Sequence, residues 1–319
     1  MSKTLLIFIV TFGLAFVVFA ALAAGLTTDL RTVFAPLRGR GLPTVGVLVA
    51  NFVVVPLLVW LSLQAFDFAA QATMAFTLLS VVAGAPFVAM FTRVGRGDVA
   101  YATAISLLLL LVTIPFMPVV LPWLLSTLHV AHANVTTWHL LKPLLWFLLL
   151  PLCIGLAVRW RYPGLARELA PHFGQVALVG IALHIVLMFV GFWDDVVAEV
   201  HTGEYLYSVL MPVGCLAVGY GLCRPLVRGA ASRDIVLPAS LGTAQKGSQA
   251  LICSLIFAMG TYSVAGVVAL GSSVITIVVL VLVAAETGRR HERHPAATGP
   301  DARAAVPEPR AAAPSRPAR

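Results

Sequence analysis

The sequence predicts an all-α polytopic membrane protein with about nine transmembrane helices. Three observations carry that prediction. Hydrophobic residues make up 60% of the 319-residue chain, and the mean hydropathy is +0.97. Charged residues make up 11%, against about 25% in soluble domains. Only 24 of the 34 charged residues fall before position 287. A chain this apolar is solvated mostly by lipid.

Apolar stretches of ~20 residues are long enough for a hydrocarbon core of ~30 Å. They run over 5–24, 44–66, 69–92, 99–125, 140–158, 173–193, 205–223, 235–259 and 263–285. Together these form one transmembrane domain, 1–286. The remaining residues, 287–319, read as a disordered, basic cytoplasmic tail. Its arginines are separated by Ala and Pro, without aromatics to stack on bases, so the net charge of +8 does not point to nucleic acid. Cys153, Cys215, Cys223 and Cys253 sit in apolar stretches without paired spacing and read as small buried hydrophobes.

The loops set the orientation. All 18 arginines fall on one side: in the loops around Arg31, Arg93, Arg159 and Arg224, and in the tail. The opposite loops hold Asp67, Asp194, Asp195, Glu199 and Glu204 without Lys or Arg. The positive-inside rule makes the arginine side cytoplasmic, with the N-terminus outside and the C-terminus inside a plasma or inner membrane. A signal-peptide reading of residues 1–24 is disfavoured. Its 20-residue apolar run exceeds the usual ~7–15, and the arginines follow it.

The third and eighth spans are interrupted. The third holds Gly84-Ala85-Pro86 between apolar halves, and Pro86 removes a backbone donor there. The eighth holds Leu241-Gly242-Thr243-Ala244-Gln245-Lys246-Gly247-Ser248-Gln249, a polar patch at mid-membrane. Unwound backbone at that depth is tolerated only inside protein or along a wet cavity. The two spans cross in opposite directions. Interrupted helices at corresponding places in inverted halves point to a transporter's binding site.

Lys246 is the strongest single signal. A lysine at a helix centre costs roughly 2.5–3.5 kcal/mol on insertion scales. It lies 11 residues into its span, about 16 Å deep at about 1.5 Å per residue. The ammonium must therefore face a cavity, a partner or a ligand. Lys142 lies near the end of its own span, from where it can snorkel to water. Asn51 in the second span and Gln71, Thr73, Thr77 and Ser80 in the third are further intramembrane polar residues, able to line a pathway or simply to bond neighbouring backbone. His184 reads as a packing residue. The sequence holds no nucleophile–base pair, metal motif or phosphate-cradling loop. The expectation is a secondary transporter without a cofactor, neither an enzyme nor an ATP-driven pump. A channel or receptor-like membrane protein is the rival class.

The chain also resembles the bile acid:sodium symporter family. The residues concerned are Gly25-Leu26-Thr27 after the first span; Asn51-Phe52 with Pro56 behind; Arg96-Gly97-Asp98-Val99-Ala100; and Gly242-Thr243-Ala244-Gln245. The resemblance implies inverted repeats in which two broken helices cross. It puts spans two to four and seven to nine in a core domain, and spans one, five and six in a panel. It also implies a small organic anion as cargo, carboxylate or bile-acid-like, usually carried with sodium. The chain is similar to the nine-helix version of that fold.

Measured against that pattern, the family's sodium-holding side chains are lost at Phe87, Val88 and Leu241, while Asn51, Ser106 and Gln245 keep polar groups. Lys246 stands where the family has an asparagine. A hard cation needs several oxygen ligands. The expectation is therefore a transporter that does not use the usual sodium sites. Lys246 either replaces the cation or binds the anion. The candidate site residues are Lys246, Gln245, Asn51, Thr243, Ser106, Pro86 and Gly84. Lysine, unlike arginine, can release its proton when taken out of water, so proton coupling and sodium coupling both stay open.

Overall fold

The computed structural model describes residues 3–29, 40–84, 87–128, 137–194, 197, 203–227, 232–257 and 264–293. The regular secondary structure among them is helical: α1 (Lys3–Thr27), α2 (Gly41–Ala65), α3 (Ala70–Val81), α4 (Val88–Val94), α5 (Val99–Thr127), α6 (Thr137–Arg161), α7 (Pro163–Gly191), α8 (Gly203–Cys223), α9 (Ser232–Ala244), α10 (Ser248–Phe257) and α11 (Val264–Arg293). Seven of these described helices are long and apolar enough to cross a membrane: α1, α2, α5, α6, α7, α8 and α11. The third and eighth apolar stretches instead form pairs of shorter helices, α3 with α4 and α9 with α10. The last helix runs to Arg293, so residues 287–293, expected from sequence to belong to the tail, are helical. Glu286 explains the extension, since it pairs with Arg290 at 2.7 Å one turn on and with Arg289 at 3.7 Å. The remainder of the tail, 294–319, lies outside the described residues.

Two helix groups result. In one, α1 packs along α6 and α7. Small residues let α1 and α6 approach: a methyl on Gly155 would stand 2.5 Å from the Leu22 carbonyl oxygen and 3.0 Å from Gly25 Cα. This is the close backbone contact that drives helix association in lipid. The other group joins α2 to α5 with α8, α9 and α11. The short α10 leaves this second group and packs on α1 and α6. Two π-helical stretches, Ala50–Val54 and Leu144–Leu149, precede Pro56 and Pro151. A proline ring clashes with the carbonyl four residues back, and the wider turn, with Val55 N–H bonded to Ala50 O, relieves it. Trp123, Trp138 and Trp193 are exposed towards one end of the bundle and Trp160 towards the other, where membrane–water interfaces favour indoles.

Polar side chains tie down the helix ends. Glu204, read from sequence as an outer-loop acid, is buried, and its Oε1 accepts the Ala69 N–H at 2.9 Å at the start of α3. On the arginine-rich side, Arg96 adopts a left-handed backbone (φ 59°) so that Asp98 can cap α5. Asp98 accepts the Tyr101 N–H at 2.9 Å and an Arg40 guanidinium N–H at 2.6 Å. Partial burial works to raise the Asp98 carboxyl. The Tyr101 bond, the Arg40 bond and charge, and the Ala100 N–H outweigh it and hold the group below the ordinary aspartate value.

Two outcomes follow for purified protein in detergent. Replacing Gly155 by Leu forces α1 and α6 apart and lowers stability by about 1–3 kcal/mol; Gly214→Ala, where an added methyl meets nothing, does not. The Asp98 carboxylate stabilises the fold fully above its unfolded value and loses that contribution as pH falls through its lower folded value. The stability difference between wild type and Asp98→Asn is therefore largest at neutral pH. It shrinks below about pH 4 in pH-resolved thermal melts.

Candidate functional site

The two helix breaks meet. Between α3 and α4 the chain is extended at Val82 and turns at Gly84, whose φ of +79° favours glycine. A side chain there would strike the α5 backbone, 2.5 Å from the Ser106 carbonyl oxygen. Between α9 and α10 lie Gln245, Lys246 and Gly247. A methyl on Gly247 would stand 2.6 Å from the Ala83 carbonyl oxygen. Glycine thus lets one break lie against the other.

Broken backbone inside a bilayer needs partners. Thr113 of α5 supplies them at Ala83. Its Oγ1 accepts the Ala83 N–H at 3.1 Å and lies within hydrogen-bond reach of the Ala83 carbonyl (3.2 Å) and the Leu109 carbonyl (2.9 Å). Sequence reasoning passed over Thr113. A threonine can always bond its own helix, and nothing local shows that this one faces a break 30 residues away.

The predicted residues divide among three places. Gly84, Ser106 and Phe87 line a cavity of about 600 Å³ between α1, α7, α5 and the first break. Among the described residues its lining is apolar apart from hydroxyls such as Thr27, Thr103 and Ser106, with no charged side chain. Thr27, Thr103 and Ala170 place it in the half of the bundle nearest the arginine-rich loops. Pro86 lies outside the described residues.

Asn51 and Thr243 occupy the second place, with Gln245 two residues further on at the second break. Asn51, in the π-helical turn of α2, is buried. Its Nδ2 donates to the Val47 carbonyl at 3.0 Å and to Thr243 Oγ1 at 3.3 Å. The carbonyl partner fixes which end of the amide is nitrogen. Gly219 of α8 sits over Thr243, a contact that leaves no room for a larger residue. Asn51 Oδ1 and Gln245 Oε1 are both buried without a hydrogen-bond partner among the described residues.

Lys246 occupies the third place. It is 6% exposed, and its Nζ has no hydrogen-bond partner among the described residues. It does not line the large cavity but a separate one of about 10 Å³, room for about one water molecule. Ser208 and Cys215 of α8 and Ser272 and Thr276 of α11 share that lining, with no acid among them. The Ser208 and Ser272 hydroxyls lie 2.7 Å apart. Ser272 and Thr276 stand one turn apart on α11, a spacing visible in the sequence, though its orientation is not.

Phe87, Val88 and Leu241 are apolar: Val88 and Leu241 are fully buried, and Phe87 lines the large cavity. None of the three side chains carries an oxygen, so these side chains do not fit a sodium ion. His184 is fully buried, and its ring binds the Ile9 carbonyl of α1 at 2.9 Å.

An all-α membrane protein with two broken helices in contact beside a central cavity has the build of a transporter. The sodium bile acid symporter family model matches residues 11–199, more than half of the chain. The chain belongs to that family, a family of transporters that are typically sodium-coupled. The match covers α1 to α7 and the first break; Gln245 and Lys246 lie beyond it. No curated protein matches the chain.

Thr113 is the residue on which the first break depends. Thr113→Val strands the Ala83 N–H and costs about 1–3 kcal/mol of stability. Thr113→Ser, which keeps the hydroxyl, retains most of it. Thermal unfolding of the two variants beside wild type reads the difference.

Proposed function

We propose that the protein is a secondary transporter of an amphipathic organic anion. It works by alternating access in a plasma or inner membrane and does not depend on its family's usual sodium sites. The observation that carries this reading is the separation of the two cavities. The large one suits an apolar-bodied cargo, since its 600 Å³ falls within the size of small-molecule sites and its lining among the described residues is uncharged. Lys246 stands apart from it, at the meeting of the breaks, where its ammonium takes the place of an exchangeable cation. Its location favours this role over direct contact with the cargo.

The orientation is part of the proposal. With the arginine-rich side cytoplasmic, the large cavity lies in the inner half of the membrane. On that orientation the cavity supports an inward-facing reading. Symmetry between inverted halves is supported by the paired breaks, and the bile-acid-like end of the cargo range is favoured by the cavity's size.

A second reading, sodium-coupled symport, is favoured by one observation. Asn51 Oδ1 and Gln245 Oε1 are buried oxygens with lone pairs to offer, and hard cations take such ligands.

Uptake of radiolabelled cholate into proteoliposomes separates the readings when measured under a sodium gradient, a pH gradient or neither. Uptake that ignores sodium and is lost in Lys246→Asn supports the fixed-cation role. Sodium-driven uptake that Lys246→Asn leaves intact contradicts it. Ala177→Trp, which fills the large cavity, abolishes uptake without unfolding the protein.

A further inference from the structure

A second sizeable cavity, about 430 Å³, lies outside the transport site, wedged between α8, α9 and α11 at the arginine-rich end. Its inner walls are Leu216, Val236, Leu237 and Val283. Its mouth carries two guanidinium groups, Arg224 just after α8 and Arg233 in the first turn of α9. Arg233 Nη2 donates to the Thr287 carbonyl of α11 at 2.6 Å, which fixes that guanidinium across the wedge. Among the described residues no acid lines the cavity. Glu286, next to Thr287, is engaged with Arg289 and Arg290. Beside the mouth, Tyr220 and Leu282 are exposed, so the wedge faces the surrounding membrane.

We propose that this wedge binds the phosphate group of an anionic phospholipid drawn from the adjacent leaflet, with its acyl chain against the apolar wall. Guanidinium groups match the geometry of phosphate oxygens and stay charged at every physiological pH. Basic pockets between transmembrane helices on the cytoplasmic side collect anionic headgroups in this way. The apolar depth of the wedge selects a lipid over a free anion. One wall is α9, whose far end leads into Gln245 and Lys246. A bound lipid therefore ties the first half of that broken helix to α8 and α11. The inference concerns binding and does not require the transport reading.

The test uses full-length protein in neutral detergent, with the thermal midpoint as readout. Phosphatidylglycerol is expected to raise the midpoint of wild type, while phosphatidylcholine and inorganic phosphate at equal concentration do not. Arg224→Gln and Arg233→Gln each reduce the shift, and Arg161→Gln, on the same side of the protein, keeps it. Arg224→Gln alone decides the matter if Arg233→Gln does not fold for want of its α11 contact. The proposal is overturned if phosphatidylcholine stabilises equally, if inorganic phosphate alone gives the full shift, or if Arg224→Gln leaves the shift whole.

Discussion

Two stretches of non-helical backbone lie against each other inside a helical membrane protein, where water is not at hand to satisfy them. Ala83 sits at their contact, with its N–H bonded to Thr113 of α5 and its carbonyl pressed by Gly247. Leaving such a group unpaired in a low-dielectric interior costs several kcal/mol, so the arrangement holds only if the partners stay in place. The glycines at 84 and 247 follow from this requirement, since a side chain at either would collide with backbone. The geometry also joins elements that the chain keeps far apart. The break after α3 cannot shift without disturbing α5 or the break before α10, and α10 carries any shift to α1 and α6.

Charge and cargo space are kept separate around this contact. The larger cavity, between α1, α7 and α5, is apolar with a few hydroxyls. The polar chemistry lies in the Asn51–Thr243 pair, the Gln245 amide and the Lys246 ammonium. A buried ammonium without a carboxylate near it is costly. The hydroxyls of Ser208, Ser272 and Thr276 around its cavity are the groups that can moderate the cost. In the proposed role, the Lys246 charge at this point takes the place of an ion that would otherwise arrive and leave.

Much of this was legible in the sequence, and what was not has a physical cause. Apolar length and the one-sided arginines are one-dimensional signals, so membrane helices and the two interruptions could be read directly. Gly84 and Pro86 marked the first break in the sequence, and the left-handed turn described there is at Gly84, while Pro86 lies outside the described residues. The Asn51–Thr243 bond joins positions 192 residues apart, and no local pattern encodes such a pairing. Lys246 announced itself by depth alone. Which way it faces depends on how α8 and α11 pack around it, and that direction separates a cation substitute from a cargo ligand. Glu204 illustrates the same limit, since loop position suggested exposure where packing made a buried cap.

The central claim is that the ammonium of Lys246 occupies the role of an exchangeable cation at the crossing. The most direct measurement is the thermal midpoint of purified protein in sodium chloride against choline chloride at equal ionic strength. Wild type is to be compared with the double substitution Lys246→Asn, Leu241→Glu, which restores two of the oxygen-bearing residues that the family resemblance implies. The account predicts no sodium-specific shift in wild type and a clear sodium-dependent stabilisation of the double variant. A wild type stabilised by sodium over choline to the same extent as the double variant would contradict it.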